Sequence, residues 1–97
     1  MKIIVDLNFN LKHPDGKEVE PAQTAAGVLS GVIAASNTKQ PLKFWNWAEA
    51  LAKNNNVEID EADFQLLLTF VEDSTTMTNI VRGPVLKALL DAKHAAA

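Results

Sequence analysis

The chain has 97 residues, of which 47% are hydrophobic and 22% are charged, and its net charge at pH 7 is -3. A chain of this length and apolar content forms one domain around one core. The absence of cysteine excludes disulfide bonds and thiolate metal sites, and the net negative charge disfavours binding to the phosphate backbone of a duplex. Asp6 interrupts the first apolar run and no run is long enough to cross a membrane, so we expect a soluble cytoplasmic protein without a targeting segment.

The N-terminal segment has the pattern of a β-hairpin. Residues 3–7 are mostly β-branched and apolar, and the alternation of apolar and polar residues continues beyond them. A turn is predicted at residues 13–16, where a proline fixes one backbone angle and a glycine permits the reversal. Residues 17–20 would return as a second short strand. The result is a hairpin over about residues 2–20 that needs the helices for support.

Residues 22–36 are predicted to form the first helix, because a proline precedes an alanine-rich run that ends at a polar stretch. Gly27 and Gly31 are about one helical turn apart, a spacing that permits close helix approach. Packing within the chain is the favoured interpretation of this glycine pair, and self-association is the alternative.

The stretch LKFWNWA, residues 42–48, places both tryptophans of the chain within the predicted second helix, residues 41–53. Pro41 suits the first turn of this helix, and the three asparagines that follow it tolerate the left-handed backbone that ends a helix. Trp45 lies to one side of the helix's apolar arc, where it either widens the buried stripe or presents its ring to a partner. At about 100° per residue, that arc holds the set predicted to face the core: Phe44, Trp47, Ala48 and Leu51.

The third helix is predicted over residues 61–73, and its start carries the strongest local signal in the chain. Asp60 can accept hydrogen bonds from the free N–H groups of the first turn, and the flanking apolar residues have hydrophobic-staple spacing. The neighbouring acidic residues suit the positive end of the helix dipole, so we assign them to capping rather than to a metal site. Leu66 and Phe70 widen the apolar arc to about 200°, which predicts a central helix or an oligomer contact.

The C-terminal run is predicted to form helices at residues 77–82 and 84–94. Pro84 removes one helical hydrogen bond and clashes with the preceding turn, so the sequence leaves two possibilities, separate segments or one kinked helix. Val85 and Leu89 give the second segment an apolar face.

No set of residues has catalytic or ligand-binding spacing. His13 and His94 lie far apart in the sequence, and neither has a local partner for a metal site or a serine-based triad. The glycines in helical contexts do not form a phosphate-binding loop, and the dispersed lysines are typical of a solvated surface. The sequence therefore predicts no catalytic residue, no metal and no cofactor, and we expect that the protein is not an enzyme.

Three segments together resemble a group of small proteins encoded by tailed bacteriophages and prophages. They are LKFWNWAEAL at residues 42–51, VEIDEADFQLLLTFVE at residues 57–72, and MTNIVRGPVLKALL at residues 77–90. The resemblance covers about residues 1–90, and the WNWA element is its most distinctive part. It implies a phage or prophage origin and a role in virion morphogenesis, similar to that of tail assembly chaperones, which bind other proteins.

We therefore expect an α+β fold, mainly α, in which the N-terminal β-hairpin packs on four to five helices. The expected function is non-catalytic protein–protein interaction in virion (tail or head) assembly, with phage-encoded partners and a homo-oligomer in the cytoplasm of the bacterial host cell. A regulator of a nucleic-acid-associated complex would need lysines clustered on one face, and a small enzyme would need a polar crevice. The predicted contact residues are Trp45, Leu66, Phe70, Val85 and Leu89.

Overall fold

The fold is α+β and mainly α, as predicted, and the computed structural model of the chain describes residues 2–96. This part of the chain forms four helices and one two-stranded antiparallel sheet. In chain order the elements are β1 (Ile3–Val5), α1 (Ala25–Ala34), α2 (Pro41–Ala52), β2 (Val57–Ile59), α3 (Glu61–Asp73) and α4 (Asn79–Ala96).

The regular sheet pairs β1 with β2, so that Ile3 lies opposite Ile59 and Val5 opposite Val57. All four of these side chains are buried, as the strand alternation requires. The partner of β1 is therefore residues 57–59 and not the second hairpin strand predicted within residues 17–20.

The predicted turn at residues 13–16 does form, although no regular strand follows it. His13 N donates to Lys17 O at 2.7 Å, and Gly16 has a φ of 91°, which favours glycine. A single bridge joins Lys12 to Glu18. The segment before the turn also pairs with the chain that enters α1, since Leu11 N donates to the Gln23 carbonyl at 2.8 Å.

Helix α1 begins at Ala25, three residues after the predicted start at residue 22. Thr24 is its N-cap, and the Thr24 Oγ1 accepts from Gly27 N at 3.0 Å. The residues just before Thr24 are extended because they pair with the N-terminal segment, which is a tertiary requirement that the local sequence does not reveal.

The glycine pair of α1 does not pack within the chain as expected. Gly27 and Gly31 are both exposed, and a Cβ added to Gly31 would meet no atom within 4 Å. The spacing of two glycines is therefore not a sign of close helix approach within this fold.

Replacing Gly31 with alanine should raise the free energy of unfolding by about 1 kcal/mol, because alanine loses less backbone entropy than glycine inside a helix. Urea denaturation followed by circular dichroism measures the change. Gly27→Ala is the matched control and should gain less, because its Cβ would lie 3.1 Å from Thr24 Oγ1. A loss of stability on Gly31→Ala would show that this face of α1 is packed after all.

Helix α2 buries the face that the spacing predicts, namely Phe44, Trp47, Ala48 and Leu51. It packs against α1, and the buried Ser30 hydroxyl donates to the Ala48 carbonyl at 2.7 Å. The helix ends in a Schellman motif, in which Asn55 N donates to Ala50 O at 2.9 Å and Asn54 N to Leu51 O at 3.0 Å. Asn54 has a φ of 56°, which confirms the predicted left-handed position.

Helix α3 has the predicted bounds, and Asp60 is its N-cap. The Asp60 Oδ1 accepts from Asp63 N at 2.8 Å. Ile59 and Phe64, which have the staple spacing, are both buried in the core. The local signal was sufficient here because capping involves only residues within one turn of each other.

Asp60→Ala should lower the free energy of unfolding by about 1 kcal/mol, because the first turn of α3 loses a side-chain acceptor. Thermal or urea denaturation measures the effect. Asp60→Asn should retain most of the stability, since an amide oxygen also caps a helix. Equal losses in the two variants would mean that the carboxylate charge, and not the hydrogen bond, stabilises this end.

Helix α4 is one continuous helix through Pro84, so of the two possibilities left by the sequence the division into 77–82 and 84–94 is wrong. It lies antiparallel to α3. Near its N-terminus, Arg82 Nη1 donates to the Ser74 carbonyl at 2.7 Å, and near its C-terminus the Lys93 ammonium lies 5.5 Å from the centre of the Phe64 ring. Arg82 therefore caps the C-terminal end of α3.

Candidate functional site

The structure separates the five predicted contact residues into three groups. Trp45 is 53% exposed on the outer side of α2. Leu66 and Phe70 are half-buried on α3. Val85 and Leu89 are 0% exposed and belong to the core. These last two cannot contact a partner while the protein is folded, so their assignment as contact residues is wrong.

The two tryptophans point to opposite sides of α2, since positions two apart on a helix differ by about 200°. Trp47 is 7% exposed, and its ring meets the ring of Phe44 edge to face at a centroid distance of 4.9 Å. Trp45 extends from the opposite side of the helix into solvent. One tryptophan therefore anchors α2 in the core, and the other lies on the surface.

Leu42 shares this exposed side of α2 with Trp45. It is 73% exposed and lies one turn before Trp45, at the i, i+3 spacing that brings side chains together on a helix surface. We refer to Leu42 and Trp45 as the α2 ridge. Two large apolar side chains on one exposed helix face form a small patch that water solvates poorly.

Leu42 is a contact candidate that the sequence analysis missed. The signal was present, because Leu42 falls outside the arc of Phe44, Trp47, Ala48 and Leu51 on a helical wheel. Pro41 at the first helical position also fixes where the helix begins, and hence which way Leu42 points.

A shallow groove of about 420 Å³ runs between α2 and α3, and we refer to it as the α2–α3 groove. Its apolar floor contains Phe44 and Phe70, whose ring centroids are 5.1 Å apart, and Leu66 lies beside them. The residues that line it are Thr38, Lys39, Phe44, Ala62, Gln65, Leu66, Thr69 and Phe70. Leu66 and Phe70 are thus brought together, as their spacing predicts.

An ion pair also links α2 to α3. Lys43 Nζ donates to Asp63 Oδ1 at 2.6 Å, and the two side chains are 38% and 25% exposed. At this exposure the pair contributes little to stability, because water screens it. The pair marks the place where the start of α2, which carries Leu42 and Trp45, lies beside the first turn of α3.

The ionisable side chains of residues 2–96 do not converge on a reaction site. No group of three or more histidine, aspartate or glutamate side chains in this range is placed to hold a metal ion. Ser30 is the one buried polar side chain of the same range, and its hydroxyl is occupied by the Ala48 carbonyl. None of the helices within the described range is long and apolar enough to span a bilayer.

Comparison of the chain with protein-family models, curated proteins and solved structures gives no match. The surface itself must therefore carry any functional assignment. This surface presents the exposed apolar side chains of the α2 ridge beside the aromatic α2–α3 groove.

Proposed function

We propose that this protein is a non-catalytic binding protein, and that it acts by burying the α2 ridge and the adjoining α2–α3 groove against another protein. The observation that carries the proposal is the exposure of Leu42 and Trp45, at 73% and 53%, on a helix whose opposite face is in the core. Tryptophan is enriched among the residues that dominate binding energy at protein interfaces.

The physical basis of binding is the removal of apolar area from water. A fully buried tryptophan contributes more apolar contact than any other side chain, and its indole N–H can still donate to the partner. Because the ridge lies on a helix whose opposite face is buried in the core, its backbone is already ordered and little backbone entropy is lost when a partner binds. The ridge is therefore suited to serve as an anchor.

The biological setting that we propose is the assembly of the head or tail of a tailed phage, in the cytoplasm of the bacterial host cell. This part of the proposal rests on the resemblance carried by WNWA and by the segments at 57–72 and 77–90. The partners would be phage-encoded proteins, and a second copy of the chain is one of them. The first test is the identity of the adjacent genes, since an absence of virion genes there would contradict the setting.

The contact surface is tested by co-expressing the chain with each product of the adjacent virion genes and measuring affinity by calorimetry. Trp45→Ala should weaken binding by about 30-fold, which corresponds to about 2 kcal/mol for an aromatic anchor. Leu90→Ala is the matched control, because Leu90 is equally exposed at 54% but lies on α4. If Trp45→Ala and Leu90→Ala bind as tightly as the unmodified chain, the ridge is not the contact surface.

Self-association is tested separately by sedimentation equilibrium over a wide concentration range. We expect a concentration-dependent oligomer that Trp45→Ala or Leu66→Ser dissociates. A monomer at every concentration would remove the oligomer from the proposal, while the binding of a different protein would be unaffected by that result.

A further inference from the structure

A second groove lies on a different part of the molecule, between the N-terminal segment and α4. Its larger part, of about 630 Å³, is bounded by the turn at 13–16 and the first turns of α4. An adjoining hollow of about 490 Å³ continues along α4 toward Ala92. Phe9, Pro84 and Lys87 line both parts, so the two hollows adjoin, and we refer to them together as the α4 groove.

Both walls of the α4 groove are fixed. On one side, the Phe9 carbonyl accepts from Ala25 N at 2.9 Å, and His13 N donates to Lys17 O at 2.7 Å. On the other side, α4 is anchored by the fully buried Val85 and Leu89. The groove is therefore a property of the folded chain, and a ligand would not have to order either wall.

The floor of the groove is apolar, and basic and acidic side chains line its rim at different places. Phe9, Ile80 and Pro84 are half-buried along the floor. Lys12 lines the part near the turn and Lys87 lines both parts, and no carboxylate of residues 2–96 lies within 4.0 Å of either ammonium group. At the far end the lining residues include Asp6 and Asp91.

We propose that the α4 groove binds an extended acidic and apolar peptide segment of another protein. A carboxylate of the segment pairs with Lys12 and Lys87, an apolar side chain lies on the floor, and a basic residue at the other end faces Asp6 and Asp91. The charge pattern selects this occupant. A nucleic acid strand would bring phosphates to Asp6 and Asp91 as well as to the lysines, in a chain with net charge -3.

The dimensions agree with a short segment. From Asn79 to Ala92 the axis of α4 rises about 20 Å at 1.5 Å per residue. An extended peptide covers this length with about six residues at roughly 3.3 Å each. The segment is thus of the size used by short linear motifs, in which one carboxylate and one or two apolar anchors give most of the recognition.

The probe is a display library of hexapeptides, from which binders are selected on the purified full chain. The sequences are random because the order of the partner's residues is not assumed. Selected peptides should be enriched in one aspartate or glutamate together with an aromatic or aliphatic residue. The strongest of them, labelled with a fluorophore, is then titrated by anisotropy at low and high salt. Enrichment of neutral or purely basic peptides would overturn the proposal.

Two variants test whether the selected peptide occupies the groove. Gly83 lines the groove and a Cβ there would meet no atom within 4 Å, so a side chain can be added at this position and Gly83→Leu should obstruct the groove. It should abolish binding. Gly31→Leu is the matched control, because Gly31 is equally open but lies on α1, and it should bind the peptide normally. Normal binding by Gly83→Leu would overturn the proposal.

Charge reversal tests the pairing. In the double variant Lys12→Glu, Lys87→Glu, the affinity for the selected peptide should fall by about tenfold or more. The affinity of this variant should rise for a version of the peptide in which lysine replaces the acidic residue. A labelled single-stranded oligonucleotide is titrated in parallel, and binding of it in preference to the peptide would overturn the proposal. Trp45→Ala should bind the hexapeptide normally, so a failure of the α2 ridge and a failure of the α4 groove are distinguishable.

Discussion

Trp47→Ala should unfold the protein at temperatures where Trp45→Ala remains folded, although the two residues are separated by a single position. Trp47 is 7% exposed and packs edge to face on Phe44, whereas Trp45 is 53% exposed. Removing a buried tryptophan leaves a cavity as well as losing its transfer free energy, and costs about 3–5 kcal/mol. Against a total stability of about 5–15 kcal/mol for a domain of this kind, that loss is a large fraction.

Urea denaturation of both variants, followed by far-ultraviolet circular dichroism, measures this difference. Trp45→Ala should change the free energy of unfolding by less than about 0.5 kcal/mol, since exposed positions away from caps and networks are tolerant. The remaining tryptophan gives a second readout. Acrylamide should quench fluorescence strongly in Trp47→Phe, where only the exposed Trp45 is left, and weakly in Trp45→Phe. Equal destabilisation by the two alanine variants would place both rings in the core.

The parts of the fold that the sequence predicts well are those decided by neighbouring residues. The start of α3 at Glu61 follows from Asp60, and the end of α2 follows from Asn54, because both signals act within one helical turn. The buried face of α2 also agrees with its spacing. In each case the interactions that stabilise the element are made by residues close to it in the sequence.

The errors arise where distant parts of the chain decide the structure. Residues 57–59 pair with β1, and the residues just before α1 are extended because they bond to the N-terminal segment. Helix α4 continues through Pro84 although the proline removes the N–H that would bond to the Ile80 carbonyl. The loss of that bond is offset by the buried Val85 and Leu89, which pack the helix into the core.

The same dependence on distant parts of the chain explains why only some of the predicted contact residues are exposed. Periodicity indicates which side of a helix is apolar, but it does not indicate whether another element covers that side. Val85 and Leu89 form an apolar face that the rest of the domain covers fully, whereas Leu42 and Trp45 form one that stays 73% and 53% exposed. Exposure is therefore the property that sequence alone could not supply.

The second large effect is expected for Leu89, which is 0% exposed, and its neighbour Leu90, which is 54% exposed, provides the comparison. Leu89→Ala should lower the free energy of unfolding by about 2–5 kcal/mol, because the domain would have to close around the missing side chain or leave a cavity. The melting temperature should fall by about 10 °C or more. Leu90→Ala removes the same atoms from water-exposed surface and should be close to neutral.

Differential scanning calorimetry of the two leucine variants also distinguishes a role of Leu89 in partner contact from a role in the core. If Leu89 served a partner, Leu89→Ala would reduce binding while leaving the melting temperature of the isolated chain unchanged. If it belongs to the core, as its burial requires, the isolated chain is destabilised with or without a partner. Equal melting temperatures for the two variants would contradict the placement of α4, and with it the rigid wall on which the α4 groove depends.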